Sequence, residues 1–125
     1  MLHVGVVALG VSDVDRAARF WCEALGYDRR MDGFGGWSVV LVPRSGSGTK
    51  LALQRSDSAP EEYPRIHLDL HVASEAEQAR EVERLVTIGA ERVDWNRYPD
   101  DPDFVVLADP DGNRFCVVDL SHEAA

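Results

Sequence analysis

In the segment Ile66-His67-Leu68-Asp69-Leu70-His71-Val72, polar and apolar side chains alternate without a break. Alternate residues of an extended chain face the same way. Ile66, Leu68, Leu70 and Val72 therefore form the face expected to pack under a helix. His67, Asp69 and His71 then project from the opposite face. An imidazole titrates near neutral pH and a neighbouring carboxylate can orient it, so His67 and Asp69 are candidates for acid–base work or ligand recognition. The competing reading is a wet polar strand face whose members hydrogen-bond one another. For His71, near the strand end, that second reading is preferred. Same-face neighbours on one strand lie about 6–7 Å apart, so one metal ion would struggle to reach all three.

Cys116 is the other side chain with reactive chemistry. As a nucleophile it would need a lowered thiol pKa, and no basic residue adjoins it in sequence, although the fold could supply His67 or Arg55. A small buried hydrophobe is the simpler reading, and Cys22, beside Trp21 on a helix, is simpler still. Trp37, Trp95, Tyr98 and Phe104 could wall a site for a planar or apolar ligand, or pack in the core. The stretch Asp94-Trp95-Asn96-Arg97-Tyr98-Pro99-Asp100-Asp101 reads as a mobile lip, in which Arg97 could meet an anionic group. Gly33-Phe34-Gly35-Gly36 precedes no helix, so it is read as a turn and not a phosphate loop.

The elements that must place these residues are legible as patterns. Residues 2–11 form an apolar strand. Ser12 or Asp13 can cap a helix bearing Val14, Ala17, Ala18, Trp21 and Leu25 on one stripe, ended by Gly26. Strands follow near 27–32, 36–43 and 50–55. After a polar, proline-containing linker, a strand over 66–73 leads to a helix capped by Ser74, with Glu77 as in a capping box. That helix carries Ala76, Ala79, Val82 or Glu83, and Val86 as its stripe and runs to Gly89. Strands near 91–95, 103–108 and 113–120 complete the chain, with Asp109-Pro110-Asp111-Gly112-Asn113 a strong turn before the last.

The order repeats. Val11 and Val72 are separated by 61 positions, Gly26 and Gly89 by 63, and Gln54 and Cys116 by 62. A nearly constant offset points to duplication of a supersecondary unit. The fold expected is α+β: two tandem βαβββ modules forming a cupped mixed β-sheet with helices outside. Residues 1–125 make a single domain, with module 1 over about 1–56, a linker over 57–65 and module 2 over about 66–121. By the offset, Val6, Gln54, His67 and Cys116 are expected to converge around a pseudo-twofold axis.

Bulk properties exclude some classes. The 125 residues carry a net charge of −9, with 45% apolar residues. A general grip on nucleic acid or an anionic membrane needs clustered positive charge, so neither partner is expected. No apolar run approaches a membrane span of about 20 residues, and no signal peptide is visible. Reduced thiols and a cytoplasmic location follow as expectations.

The segments Val11-Ser-Asp-Val-Asp-Arg-Ala-Ala-Arg-Phe-Trp21 with Leu25-Gly26-Tyr27, His67-Leu68-Asp69-Leu70, and Ala108-Asp109-Pro110-Asp111-Gly112-Asn113-Arg114-Phe115 carry a resemblance. Their order and spacing resemble the vicinal oxygen chelate superfamily of glyoxalases, bleomycin-resistance proteins and extradiol dioxygenases, and within it the small bacterial glyoxalase-like domain proteins. In metal-using members four symmetry-related positions carry His or Glu ligands, and they look equivalent to Val6, Gln54, His67 and Cys116. Only His67 keeps a usual ligand type, with Gln54 a weak neutral one. Val6 offers no donor, and a thiolate suits a hard octahedral cation poorly. His3 would need a bulge near Gly5 to substitute.

The leading expectation is a metal-independent binder of a small aromatic or anionic molecule, or a divergent lyase or isomerase. His67 and Asp69 would be the catalytic pair. Gln54, His67, Asp69, Trp37, Trp95, Phe104 and Cys116 would line the ligand. No resident cofactor is expected. A divalent metal on His67 and Gln54, serving a lyase or dioxygenase, stays open, as does a non-catalytic sequestering protein. The resemblance implies a homodimer.

Overall fold

The computed structural model describes residues 1–33 and 38–122. The chain forms two compact units, Met1–Pro60 and Glu61–Ala125. Each is a strand, a helix and three further strands, the module order expected from the repeat.

The first unit comprises β1 (Val6–Val11), α1 (Val14–Leu25), β2 (Tyr27–Gly33), β3 (Ser38–Pro43) and β4 (Lys50–Arg55), in a sheet ordered β1-β4-β3-β2. The β1–β4 pair is parallel and the others antiparallel. The helix starts because the Asp13 carboxylate accepts a hydrogen bond from Arg16 N at 3.0 Å, so Asp13 rather than Ser12 is the cap. It stops at Gly26, whose φ of 69° is left-handed and which donates its N–H to Cys22 O. Ala17, Ala18, Phe20 and Trp21 of α1 are buried with Val11, Val39, Leu41, Leu51 and Leu53 of the sheet. Val14 and Leu25 of the expected stripe are only half-buried, and Phe20 joins the core, meeting Trp21 edge-to-face with centroids 5.0 Å apart.

The second unit comprises β5 (Asp69–Val72), α2 (Glu75–Thr87), β6 (Glu91–Arg92), β7 (Phe104–Ala108) and β8 (Arg114–Asp119), ordered β5-β8-β7-β6, with β5–β8 parallel. The Ser74 hydroxyl accepts from Glu77 N at 3.1 Å. The Glu77 carboxylate reaches back to Ala73 N rather than to the cap's own N–H. The stripe of α2 differs from expectation. Ala76 and Ala79 are exposed, and Val82 and Leu85 are buried. Gln78 supplies the first turn of that stripe: its amide donates to Asp103 O and Val117 O, each at 3.0 Å. A polar residue thus lies where small apolar ones were expected, and its amide adds a hydrogen bond to each of two carbonyls, that of Asp103 also accepting from Asp119 N.

Two strands are shorter than their patterns. β5 begins at Asp69, not Ile66, because the chain before it bends: Arg65 N is held by the Glu61 carboxylate at 3.3 Å and Ile66 is 83% exposed. β6 stops at Arg92 because Trp95 N bonds Val93 O at 3.0 Å, a tight turn that ends ladder pairing. The turn into β8 is as expected. Asp109, 2% exposed, accepts hydrogen bonds from Asp111 N and Asn113 N, and Gly112 takes φ 89°. No helix among the described residues is long and apolar enough to cross a membrane.

Candidate functional site

The parallel β5–β8 register places Asp69 opposite Cys116, and the antiparallel β7–β8 register places Cys116 opposite Val106. These residues share the sheet face turned away from α2, since their neighbours Val72, Val117 and Phe115 are the buried ones. Over this face lies a cavity of about 380 Å³, at the small end of the range for small-molecule sites. Asp69, Cys116, Val106 and Val118 line it from the strands, with His67 and Trp95 from the flanking segments.

His67 reaches the cavity from outside the strand. It lies two residues before β5, and Leu68 lines the cavity beside it. The alternation expected over 66–72 therefore holds only from Asp69 onward. His71 pairs with Val118 and is exposed, outside the cavity lining.

The Cys116 thiol is pushed up to about 12. Burial is the main cause, followed by the Asp69 charge and the hydrogen bond that the thiol donates to Asp69. It is a free, half-buried thiol that stays protonated at neutral pH, which disqualifies it as an activated nucleophile. Cys22 is also free, and burial raises its pKa, with Asp28 adding to the effect.

Trp95 and Phe104, which line the cavity, each pack against a tyrosine ring. Tyr63 and Trp95 meet at 5.3 Å, the Arg97 guanidinium lies 3.5 Å over the Tyr63 ring, and the Tyr63 hydroxyl donates to Asn96 Oδ1 at 2.8 Å. Tyr98 stacks on Phe104 at 5.2 Å, and its hydroxyl accepts Val106 N at 2.8 Å. The Tyr63 and Trp95 rings are tilted by 57° to each other. The buried indole N–H of Trp95 has no hydrogen-bond partner among the described residues. Tyr63 and Arg114 are the members of this wall that the sequence pattern did not mark. Their signal was weak, since Tyr63 sits in the linker and Arg114 directly follows a turn.

In the first unit, Val6 and Gln54 lie on the face away from α1, both exposed, but the β1–β4 register pairs Val6 with Lys50 and Gly10 with Gln54. That separates them by four residues, about 13 Å along the strands, so they do not converge within their module. The registers also correct the symmetry. With Val11 and Val72 equivalent, Ala52 is the counterpart of Cys116, and Gln54 that of Val118. Trp37 lies outside the described residues.

The donor chemistry does not fit a divalent metal. Val6 has no donor, Gln54 is neutral, Cys116 holds its proton, and Ala52 occupies the place opposite to it in the repeat. Among the described residues no group of three His, Cys, Asp or Glu side chains is placed to hold an ion.

Residues 6–118 match the family model described as a glyoxalase-like domain. The chain belongs to the glyoxalase-like domain family. It is thereby a member of the vicinal oxygen chelate superfamily. Solved structures share this glyoxalase-like fold. A glyoxalase-related enzyme from Fulvimarina pelagi is 23% identical, covering 97% of this chain and 90% of its own, with a TM-score of 0.73. A glyoxalase/bleomycin resistance protein/dioxygenase family enzyme from Burkholderia phytofirmans PsJN is 13% identical over 95% and 99%, with a TM-score of 0.73. Lactoylglutathione lyase from Agrobacterium tumefaciens is 21% identical over 94% and 93%, with a TM-score of 0.64. No curated protein matches the chain. At these identities the glyoxalase-like likeness is one of fold, and chemistry has to be argued from the site.

Proposed function

We propose that the cavity of the second module is the working site of this glyoxalase-like chain and that it binds a small, planar, largely apolar molecule without a metal. The observation that carries this reading is the pairing of an aromatic wall, Trp95 and Phe104, with a compact polar patch, His67 and the Asp69–Cys116 pair, around one cavity. Flat apolar walls take up a ring, and a few placed polar groups fix its orientation. Cys116 acts as a hydrogen-bond donor that orients Asp69. Proton transfer then falls to Asp69 and His67, and turnover takes the form of a lyase or isomerase step.

A panel of single-ring aromatic compounds screened by thermal shift tests the reading. Stabilisation by one chemical group of compounds, lost in Trp95→Ala, supports it; a flat response across the panel overturns it. Long incubation with the best binder then separates the two modes. Recovered product establishes an enzyme, whereas unchanged compound establishes a sequestering protein.

We also propose a cytoplasmic homodimer. The support is physical: β1, β2, β5 and β6 are the outer strands of their sheets, and Leu2, Val4 and Ile66 are exposed apolar side chains. Light scattering on the purified chain reads the mass directly, and a monomer at micromolar concentration rules the dimer out.

A further inference from the structure

Arg114 and Arg97 both line the cavity, and neither forms an ion pair with a carboxylate among the described residues. Arg29, Arg44, Arg84 and Arg92 each meet a carboxylate, on Asp15, Asp28, Glu81 and Glu83 respectively. Arg114 has no carboxylate partner among the described residues, in a chain whose net charge is −9. It is half-buried at the start of β8 and lines the cavity. One of its nitrogens donates to Glu62 O at 2.6 Å, and its guanidinium carbon lies 5.7 Å from the Trp95 ring. Those contacts aim the group and leave donors free. A part-buried guanidinium with no carboxylate partner among the described residues is available to an anion, and its fork matches a carboxylate.

The neighbouring strand has the reverse character. Asp69 stands opposite Cys116 in the register, and its carboxylate has acceptor capacity for a ligand. Cys116 stands two residues beyond Arg114 on β8, so the two positions are about 6–7 Å apart along the strand. The cavity thus offers cations at Arg114 and Arg97, an acceptor at Asp69 on the neighbouring strand, with Asp103 also in the lining, and Trp95 and Phe104 alongside. We infer that it selects an aromatic monoanion: a ring with a carboxylate bound by Arg114 and, across the ring, a hydroxyl or amino group donating to Asp69. The cavity is large enough for a single ring, and a second carboxylate beside Asp69 would be repelled by it.

This inference rests on the reading of the cavity as the binding site, and the test separates the two. Titration calorimetry near neutral pH compares 4-hydroxybenzoate, benzoate, phenol and the dianion terephthalate. The expected order is 4-hydroxybenzoate first, with terephthalate weaker by ~10-fold or more, the effect of one charge-assisted contact. Arg114→Met weakens both monoanions by a similar factor and leaves phenol unchanged, and Arg114→Lys restores part of the loss. Asp69→Asn levels 4-hydroxybenzoate with benzoate and improves terephthalate. Circular dichroism checks that each variant is folded, and if Arg114→Met does not fold, Arg114→Lys and Asp69→Asn still decide. Phenol binding as well as 4-hydroxybenzoate, or monoanion affinity indifferent to both Arg114 variants, overturns the inference and leaves the cavity reading standing. No binding by any of the four compounds overturns both.

Discussion

Across the parallel β5–β8 pair, Asp69 stands opposite Cys116, and burial together with the Asp69 charge keeps the thiol protonated. The two side chains come from segments that share no local pattern, yet together they define the polar floor of the cavity. The arrangement costs Cys116 its reactivity, because ionising the thiol would place a second negative charge beside Asp69 in a half-buried site.

This pair has a signature in the pH dependence of stability. The thiol pKa rises from an ordinary 9.0 to about 12 on folding, so the folded chain keeps a proton that the unfolded chain releases in that interval. The stabilisation is complete below pH 9 and is lost as pH rises toward 12. Urea midpoints for the parent chain are expected to fall more steeply above pH 9 than those of Cys116→Ala. Parallel curves would dissociate the thiol from stability. Asp69→Asn removes the neighbouring charge, so iodoacetamide should label Cys116 several times faster at fixed mildly alkaline pH. An unchanged rate would count against the contact.

Tyr98 holds the cavity wall through a backbone bond as well as a ring contact. Tyr98→Phe keeps the stacking on Phe104 but strips Val106 N of its acceptor. A part-buried donor left without a partner costs about 1 kcal/mol. Chemical denaturation should register that loss with an unchanged slope, and a stability equal to the parent would show that water replaces the hydroxyl.

Two glycines in the first module separate backbone strain from steric clash. At Gly26, with φ 69°, a Cβ would meet nothing within 4 Å, so Gly26→Ala costs about 1 kcal/mol through conformation alone. Gly26→Asn should recover part of it, since Asn tolerates the left-handed region. At Gly10 a Cβ would lie 2.9 Å from the Ser56 Cβ, so Gly10→Ala forces β1 and the segment after β4 apart. Gly10→Ala paired with Ser56→Gly should then be milder than Gly10→Ala alone. Additive effects would contradict the clash.

Metal removal is expected to change nothing that depends on the cavity. Treatment with EDTA should leave both the melting temperature and the affinity for 4-hydroxybenzoate as they were, because among the described residues no three His, Cys, Asp or Glu side chains are placed to hold one ion. A stoichiometric metal in untreated protein, lost in His67→Ala, would reverse this expectation.

The module order was legible from local chemistry. The caps at Asp13 and Ser74, the stop at Gly26 and the Asp109–Asn113 turn depend on residues within a few positions of one another, and each forms as its pattern implies. His67, Asp69, Trp95, Phe104 and Cys116 were also marked, and the structure gathers them on one cavity. Other features depended on contacts between distant segments. The β1–β4 register, which separates Val6 from Gln54 and makes Ala52 the counterpart of Cys116, is set by packing between strands some 40 residues apart. The orientation of α2, with Ala76 and Ala79 exposed and the Gln78 amide on two carbonyls far along the chain, also depends on such contacts. The proton on Cys116 and the carboxylate-free setting of Arg114 have the same origin. A side chain's type is written in the sequence, but its charge state and its partners belong to the tertiary surroundings, because burial and neighbouring charge are properties of the folded environment.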